Sequence, residues 1–405
     1  MFNKQHLGAD RGWSVSRRAL VLGVVGTVVL QRGLGSARAV QGCGGSPAFT
    51  PALAATKRGR SIVDVADYLQ LKDPCLVSDG STWHLYGTGW KVGVSAAVVF
   101  HATAETATGP FTMCAPCAIE GVSGRGVAAP GVVFDDGVFH MFLQTEFQAL
   151  HGTIEHLTSK DGAKFDRVGT ALAADASLGE AVIYDAQPCV IGGLRYVAYA
   201  AAARVGDTEL HLARSSGGWS GPRVRLGPIV RQSEVMFQGL VGCAGFEWGL
   251  EGPQLVELPN GQVLLFGVCF LGGRDSGHRQ RVFAAVSLGP MGPYRVLGVP
   301  FDPQLDTWAT GENGHPGAAL DGDTIVVVYQ GRQVPGRDGP WALRPLKSAR
   351  QLATGTSLSR CRRAPELSAR SRPTSRPWQR WSHVASADDG RARLAHCVCC
   401  ASATA

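Results

Sequence analysis

Three carboxylates and one histidine stand within three residues upstream of prolines that recur along the chain: Asp73 before Pro74, Asp185 before Pro188, Glu251 before Pro253 and His315 before Pro316. Carboxyl groups in pairs can perform general acid–base chemistry, because an ionised one accepts a proton from water while a protonated one donates to a leaving group. Desolvating three carboxylates together costs free energy, so a fold that gathers them indicates a functional site.

The recurring prolines belong to a repeat of about sixty residues. Five segments share an apolar run after the proline, a turn with Gly, and a second apolar run: residues 73–86, 130–142, 188–199, 253–266 and 316–329. Successive repeat prolines are 56, 58, 65 and 63 residues apart. Each segment is predicted to form a β-hairpin whose inner strand starts near the proline, which needs no donor in the ladder.

Further short apolar runs follow the hairpins, such as His211-Leu212-Ala213 and residues 282–286. Two hairpins per repeat make a four-stranded sheet, so we predict an all-β fold, a five-bladed β-propeller over residues 64–332. A sandwich or an irregular barrel is the alternative. In a propeller the starts of the inner strands crowd one end of the axis, where the carboxylates and the histidine would meet. The outer strands of the fifth blade would fall where the pattern stops, and none is convincing after Arg332.

The net charge of +7 is unevenly distributed. Residues 1–60 and 333–405 have net charges of +8 and +9, whereas residues 61–332 contain 17 basic and 27 acidic residues, a net charge of −10. An acidic folded part argues against nucleic acid as a partner.

The first 39 residues have the pattern of a signal peptide. Arg17 and Arg18 open a 12-residue apolar run, and Ala37-Arg38-Ala39 is a cleavage motif. Twelve helical residues rise about 18 Å, too little for a hydrocarbon core about 30 Å thick. We expect a secreted protein with no integral membrane span, exported by the twin-arginine or the general route and cleaved near Ala39. Cys43 follows the predicted cleavage site, and a lipid anchor attached to it is an alternative.

The remaining segments carry little pattern. Residues 40–63 are predicted to be a linker and residues 333–405 an irregular basic tail with 12 Arg. The tail is either disordered or the product of a shifted reading frame. Within the predicted propeller, Cys114-Ala115-Pro116-Cys117 has neither a second such motif nor a nearby histidine. A loop disulfide and two free thiols remain the alternatives to a zinc site.

The chain from about 64 to 332 resembles glycoside hydrolase family 43 and its five-bladed relatives, the arabinofuranosidases, arabinanases and β-xylosidases. The resemblance rests on four motifs in order: Asp73-Pro74 with Tyr86-Gly87-Thr88, Ala129-Pro130, Glu251-Gly252-Pro253, and Gly314-His315. It implies an inverting glycosidase, whose two carboxyl groups lie about 6.5–9.5 Å apart.

By the same resemblance Asp73 is the general base, Glu251 the general acid, and Asp185 the third carboxylate, which orients the acid and keeps it protonated. The family places this third carboxylate directly before a proline, whereas here two residues separate Asp185 from Pro188. His315 is implied to lie at the axis beside a water or a metal ion. No cofactor is required, although a structural calcium ion near His315 is compatible with the resemblance.

Four more residues are candidates for substrate contacts. Aromatic rings stack on sugar faces, and three tryptophans lie near the ends of the inner hairpins: Trp90, Trp248 and Trp308. Arg274 lies in a Gly-rich loop after the fourth hairpin. The leading hypothesis is a monomeric glycosidase acting on arabinose- or xylose-containing polysaccharide or oligosaccharide. A non-catalytic carbohydrate-binding propeller is the alternative. A related fructan or sucrose hydrolase is a third possibility, although this sequence lacks the Asn-Asp-Pro and Arg-Asp-Pro signatures expected of one.

Overall fold

The computed structural model describes residues 24–29, 52–53, 62–63, 67–122, 126–145, 152–203, 208–237, 249–271, 279–301 and 311–332. All of them belong to the first of two units into which the chain divides, Met1–Leu352. This described part is nearly all β, with one short 3-10 helix, Ala176–Leu178, and one α-helix, α1, Gln232–Phe237. None of its helices is long and apolar enough to cross a membrane.

The strands of the described residues, in chain order, are β1 Val24–Val29, β2 Ala52–Leu53, β3 Tyr68–Ser78, β4 Trp83–Lys91, β5 Val98–Ala104, β6 Thr112–Met113, β7 Ala118–Glu120, β8 Val127–Asp135, β9 Val138–Thr145, β10 Thr153–Ser159, β11 Lys164–Ala173, β12 Val182–Ile191, β13 Leu194–Ala202, β14 Glu209–Ser215, β15 Arg223–Val230, β16 Glu251–Glu257, β17 Val263–Leu271, β18 Arg279–Ser287, β19 Arg295–Gly298, β20 Glu312–Asp321 and β21 Thr324–Arg332.

The predicted hairpins are all present, and each contributes the first two strands of a sheet. They are β3–β4, β8–β9, β12–β13, β16–β17 and β20–β21. The glycine expected in each turn has a left-handed φ, between 59° and 94°: Gly80, Gly137, Gly193, Gly261 and Gly322. Antiparallel strands extend the first four hairpins outward: β5–β6, β10–β11, β14–β15 and β18–β19, with β7 added in parallel to β11.

The outer strands of the fifth sheet come from the other end of the chain. β1 pairs antiparallel with β21 over six residues, and β2 pairs with β1. β1 and β2 thus supply the outer strands that the sequence did not offer after Arg332. In a ring of sheets the last sheet lies beside the first, so the N-terminal segment is close enough to complete it. Val24–Val29 falls inside the predicted signal peptide, residues 1–39.

Five apolar clusters fill the spaces between neighbouring sheets, and each draws residues from two of them. In one of these clusters Val326 and Val328 of β21 join Leu85 and Phe100 of the first full sheet. This last contact between fifth and first sheets makes the arrangement propeller-like. Both faces of the inner strands are buried, which explains why their sequences are continuous apolar runs.

A β-bulge occurs at the same place in every inner strand, where two residues oppose one on the partner strand. The bulge residue has a left-handed φ in each case: 53° at Asp73, 46° at Ala129, 54° at Asp185, 54° at Gly252 and 38° at His315. Such values are uncommon for residues other than Gly, so four of the five positions mark a special site.

This register corrects the interpretation of Asp185. Asp185 is equivalent to Asp73 and His315, because all three are bulge residues of inner strands. Ala186 occupies the position that proline holds after the other four bulges, and Pro188 lies two residues further along. The apparent two-residue displacement came from aligning the wrong proline.

Candidate active site

The bulges bring the candidate carboxylates and the histidine together at one end of the inner strands. His315 Nδ1 lies 3.4 Å from Asp73 Oδ1 and 3.6 Å from Asp185 Oδ2, and its Nε2 lies 3.4 Å from Glu251 Oε2. Asp73, Asp185 and His315 are the bulge residues of three inner strands, whereas Glu251 directly precedes the fourth bulge. Three carboxylates from three sheets therefore surround the imidazole ring that a fourth sheet supplies.

Asp73 and Glu251 are close enough to act on one substrate bond. Each has an oxygen 3.4 Å from a different nitrogen of the same ring, so these two oxygens are at most about 9 Å apart. An inverting glycosidase needs about 6.5–9.5 Å between its two carboxyl groups. The limit of about 9 Å is compatible with that requirement.

Asp73 is buried yet favours its ionised form. Burial opposes ionisation, but the Lys72 ammonium, 3.6 Å from Oδ1, together with His315 and the Thr88 hydroxyl outweighs it and holds the pKa of Asp73 below its ordinary value. The Asp73 backbone N–H donates a 2.9 Å hydrogen bond to Oε1 of the fully buried Gln330. A carboxylate that stays ionised suits a general base.

Asp185 has the opposite tendency. Its burial, reinforced by the Glu251 and Asp73 carboxylates and only partly offset by His315, raises the pKa of Asp185 to about 7. Oδ2 accepts a 3.1 Å hydrogen bond from the Gly252 backbone N–H, which ties Asp185 to the strand that carries Glu251. Near neutral pH the site therefore retains a proton on Asp185 part of the time.

His315 is the positive centre of the cluster. Burial alone would lower the pKa of His315, but Asp185, Asp73 and a hydrogen bond with Glu251 outweigh it and raise the pKa to about 9. The ring is therefore an imidazolium at neutral pH. Its charge reduces the repulsion among carboxylates that would otherwise force one another apart.

Glu251 is half-buried and is held from the neighbouring sheet. Tyr184, the residue before the Asp185 bulge, donates a 3.2 Å hydrogen bond from its hydroxyl to Glu251 Oε1. The Tyr184 hydroxyl also lies 2.7 Å from Thr208 Oγ1. Sequence reasoning missed Tyr184, Thr208 and Gln330, since their contacts cross between strands far apart in the chain. Tyr184 had one signal, because it precedes its bulge residue as Glu251 precedes Gly252.

Of the four predicted substrate-contact residues, only Trp90 lies among the residues that the structure describes. Trp90 is half-buried on β4, two residues beyond Thr88. Trp248, Trp308 and Arg274 lie outside the described residues. The tryptophan and arginine contacts therefore stay predictions.

Asp185, Glu251 and His315 also form a group that could hold a metal ion, with one donor atom from each within 4.8 Å of the others. Calcium prefers six to eight oxygen ligands. The group offers oxygen atoms from only two side chains together with one imidazole nitrogen, which does not fit calcium, so we derive no step through that ion.

The cysteines of the described part form no disulfide. Cys114 and Cys117 are free thiols in this structure, which removes the loop disulfide. Burial raises the pKa of Cys117 to about 12, so the thiol is inert at neutral pH.

No protein-family model and no curated protein matches this sequence. Among solved structures, the endo-arabinase of Bacteroides thetaiotaomicron VPI-5482 is 13% identical with a TM-score of 0.50, covering 69% of this chain and 95% of that one. An exo-1,5-alpha-L-arabinanase from a bovine ruminal metagenomic library is 14% identical with a TM-score of 0.48 over 65% and 88% of the two chains. The similarity to the endo-arabinase establishes the fold. The resemblance to five-bladed glycosidases is therefore confirmed for the fold.

Proposed function

We propose that this protein is a glycoside hydrolase that cleaves arabinose- or xylose-containing polysaccharide or oligosaccharide with inversion. One observation carries the proposal: Asp73 and Glu251 face opposite nitrogens of His315, at most about 9 Å apart, on a fold shared with an arabinanase. Because Asp185 is equivalent to the other bulge residues, its distance from Pro188 gives no support to a non-catalytic binding protein.

In the proposed reaction Asp73, ionised at neutral pH, accepts a proton from the water that attacks the anomeric carbon. Glu251 donates its proton to the oxygen of the leaving sugar, and the C–O bond breaks with inversion at the anomeric carbon. Asp185 orients this end of the site through its hydrogen bond with Gly252. His315 holds the carboxylates at fixed spacing.

The test is hydrolysis of 4-nitrophenyl α-L-arabinofuranoside, 4-nitrophenyl β-D-xyloside and unactivated arabino- and xylo-oligosaccharides. Proton NMR of the first product anomer should show inversion. Glu251→Gln should lose far more rate on oligosaccharides than on nitrophenyl substrates, which need little protonation, and Asp73→Asn should lose both. Binding of these sugars without turnover would support a carbohydrate-binding protein, and equal losses for Glu251→Gln on both substrate classes would contradict the general-acid role.

We propose also that the protein is exported and acts as a monomer outside the cytoplasm, where polysaccharide is found. The signal-like pattern of residues 1–39 supports export. Cleavage near Ala39 would remove β1, so the mature chain would present the edge of β21. Mass spectrometry of the protein recovered from culture medium determines whether β1 is retained.

A further inference from the structure

Tyr184 and Thr208 form a hydrogen-bonded support for Glu251 across the boundary between two sheets. The Tyr184 hydroxyl lies 3.2 Å from Glu251 Oε1 and 2.7 Å from Thr208 Oγ1. A tyrosine hydroxyl has one proton, so a Tyr184 that donates to the glutamate accepts from Thr208.

The backbone beside Glu251 is attached to the same support. The Leu250 N–H donates a 2.8 Å hydrogen bond to the Thr208 carbonyl oxygen. Gly249 packs so closely that an added Cβ would lie 2.2 Å from the Thr208 nitrogen. Thr208 therefore fixes the chain entering β16 through its backbone, and fixes Tyr184 through its side chain.

Tyr184 remains a donor throughout the working pH range. Burial, together with the nearby Glu251 carboxylate, raises the pKa of Tyr184 well above its usual range. Because His315 Nε2 faces Oε2 while Tyr184 faces Oε1, the two oxygens of Glu251 have different partners. The carboxyl plane is thereby fixed.

We propose that Tyr184, supported by Thr208, is a positioning residue that orients the Glu251 carboxyl group. As the proton passes from Oε2 to the oxygen of the leaving sugar, Tyr184 stabilises the negative charge that spreads to Oε1. This inference rests on the proposed hydrolase function. The hydrogen bond strengthens as Glu251 becomes ionised, so it favours the transition state over the ground state.

The experiment compares Tyr184→Phe with Tyr199→Phe. Tyr199 lies in the same sheet and donates a 2.9 Å hydrogen bond to a different buried glutamate, Glu180, so its variant loses a similar contact. A hydrogen bond to a charged group corresponds to about ten- to hundred-fold in rate. We expect Tyr184→Phe to lower kcat on arabino-oligosaccharides by that factor, with KM unchanged and a smaller loss on nitrophenyl substrates. Tyr199→Phe should show no dependence on the leaving group.

Further readouts separate positioning from stability. Tyr184→Phe should move the basic limb of the pH–rate profile upward, and Thr208→Val should give a smaller change in the same direction. If the wild-type protein hydrolyses none of the substrates, the proposed function fails and the positioning role fails with it. If wild type and Glu251→Gln behave as proposed but Tyr184→Phe matches Tyr199→Phe, the positioning role alone is wrong.

Discussion

Replacing His315 by Gln should remove a stabilisation that depends on pH. In the folded protein the pKa of His315 is raised to about 9 by Asp185 and Asp73 against the effect of burial, compared with about 6.5 in an unfolded chain. The difference corresponds to at most about 3 kcal/mol of unfolding free energy. Because the folded-state pKa is the higher one, this contribution is complete below pH 6.5 and is lost as the pH rises through 9.

The assay is thermal unfolding of wild type and His315→Gln at half-unit steps from pH 6 to 10. We expect wild type to exceed the variant by up to roughly 6–12 °C at pH 6.5, and this difference to shrink toward pH 10. The wild-type curve alone is insufficient, since ionisation of Asp185, with a pKa raised to about 7, also costs stability as the pH rises. Because His315 also lowers the pKa of Asp185, the difference between wild type and variant reports the imidazolium together with its effect on Asp185.

His211→Gln is the matched control. His211 is a half-buried histidine whose pKa is lowered to about 4 by burial, Arg225 and Arg231, so it stays neutral throughout this range. Its replacement should shift the melting temperature equally at every pH tested. A difference between wild type and His315→Gln that is flat, or that grows from pH 6.5 to 9.5, would refute the account of His315 as the cation of the cluster.

Four other outcomes are expected. Gly131→Ala would place Cβ 2.1 Å from the carbonyl oxygen of Ala186 and should cost about 1–3 kcal/mol in denaturant unfolding, whereas Gly169→Ala, with no atom within 4 Å, should cost far less. Burial, with a smaller effect of a neighbouring histidine, lowers the pKa of His101 to about 4. The free energy of unfolding should therefore fall as the pH drops from 6.5 to 4, and the fall should be smaller in His101→Asn. Deleting residues 1–39 removes β1 and should lower the melting temperature; an unchanged melting temperature would contradict the pairing of β1 with β21. Dialysis against EDTA should leave hydrolysis unchanged, and a loss that calcium restores would show the assignment of the donor set to be wrong.

Local sequence signals sufficed for the hairpins and singled out all four central residues, but they gave the wrong register for Asp185. Apolar runs on both sides of a turn glycine predict a hairpin wherever they occur, and a proline following the bulge marked Asp73 and His315 directly. The register of Asp185 was wrong because Ala186 stands where the other four inner strands have a proline after the bulge. Pro188, two residues further along, was aligned with those prolines instead. The bulge itself is visible only in the pairing of β12 with β13.

Long-range pairing explains what the sequence did not reveal. β1 and β21 lie nearly three hundred residues apart, and nothing in the apolar run of Val24–Val29 distinguishes a signal peptide from a strand. The hydrogen bond from Tyr184 to Glu251 joins two sheets and has no spacing rule. Such contacts depend on ring closure rather than on local periodicity.

The ring of bulges separates the scaffold from its chemistry. Each sheet presents one left-handed residue at the axis, so the set of groups available there can change by single substitutions while every hairpin keeps its core. Two positions, Ala129 and Gly252, carry no functional group. A side chain at Gly252 would meet the His315 ring at 3.2 Å, but Ala129 already has a Cβ. Of these two positions, 129 is therefore the one where a substitution would extend an existing Cβ at the ring of bulges instead of introducing one against His315.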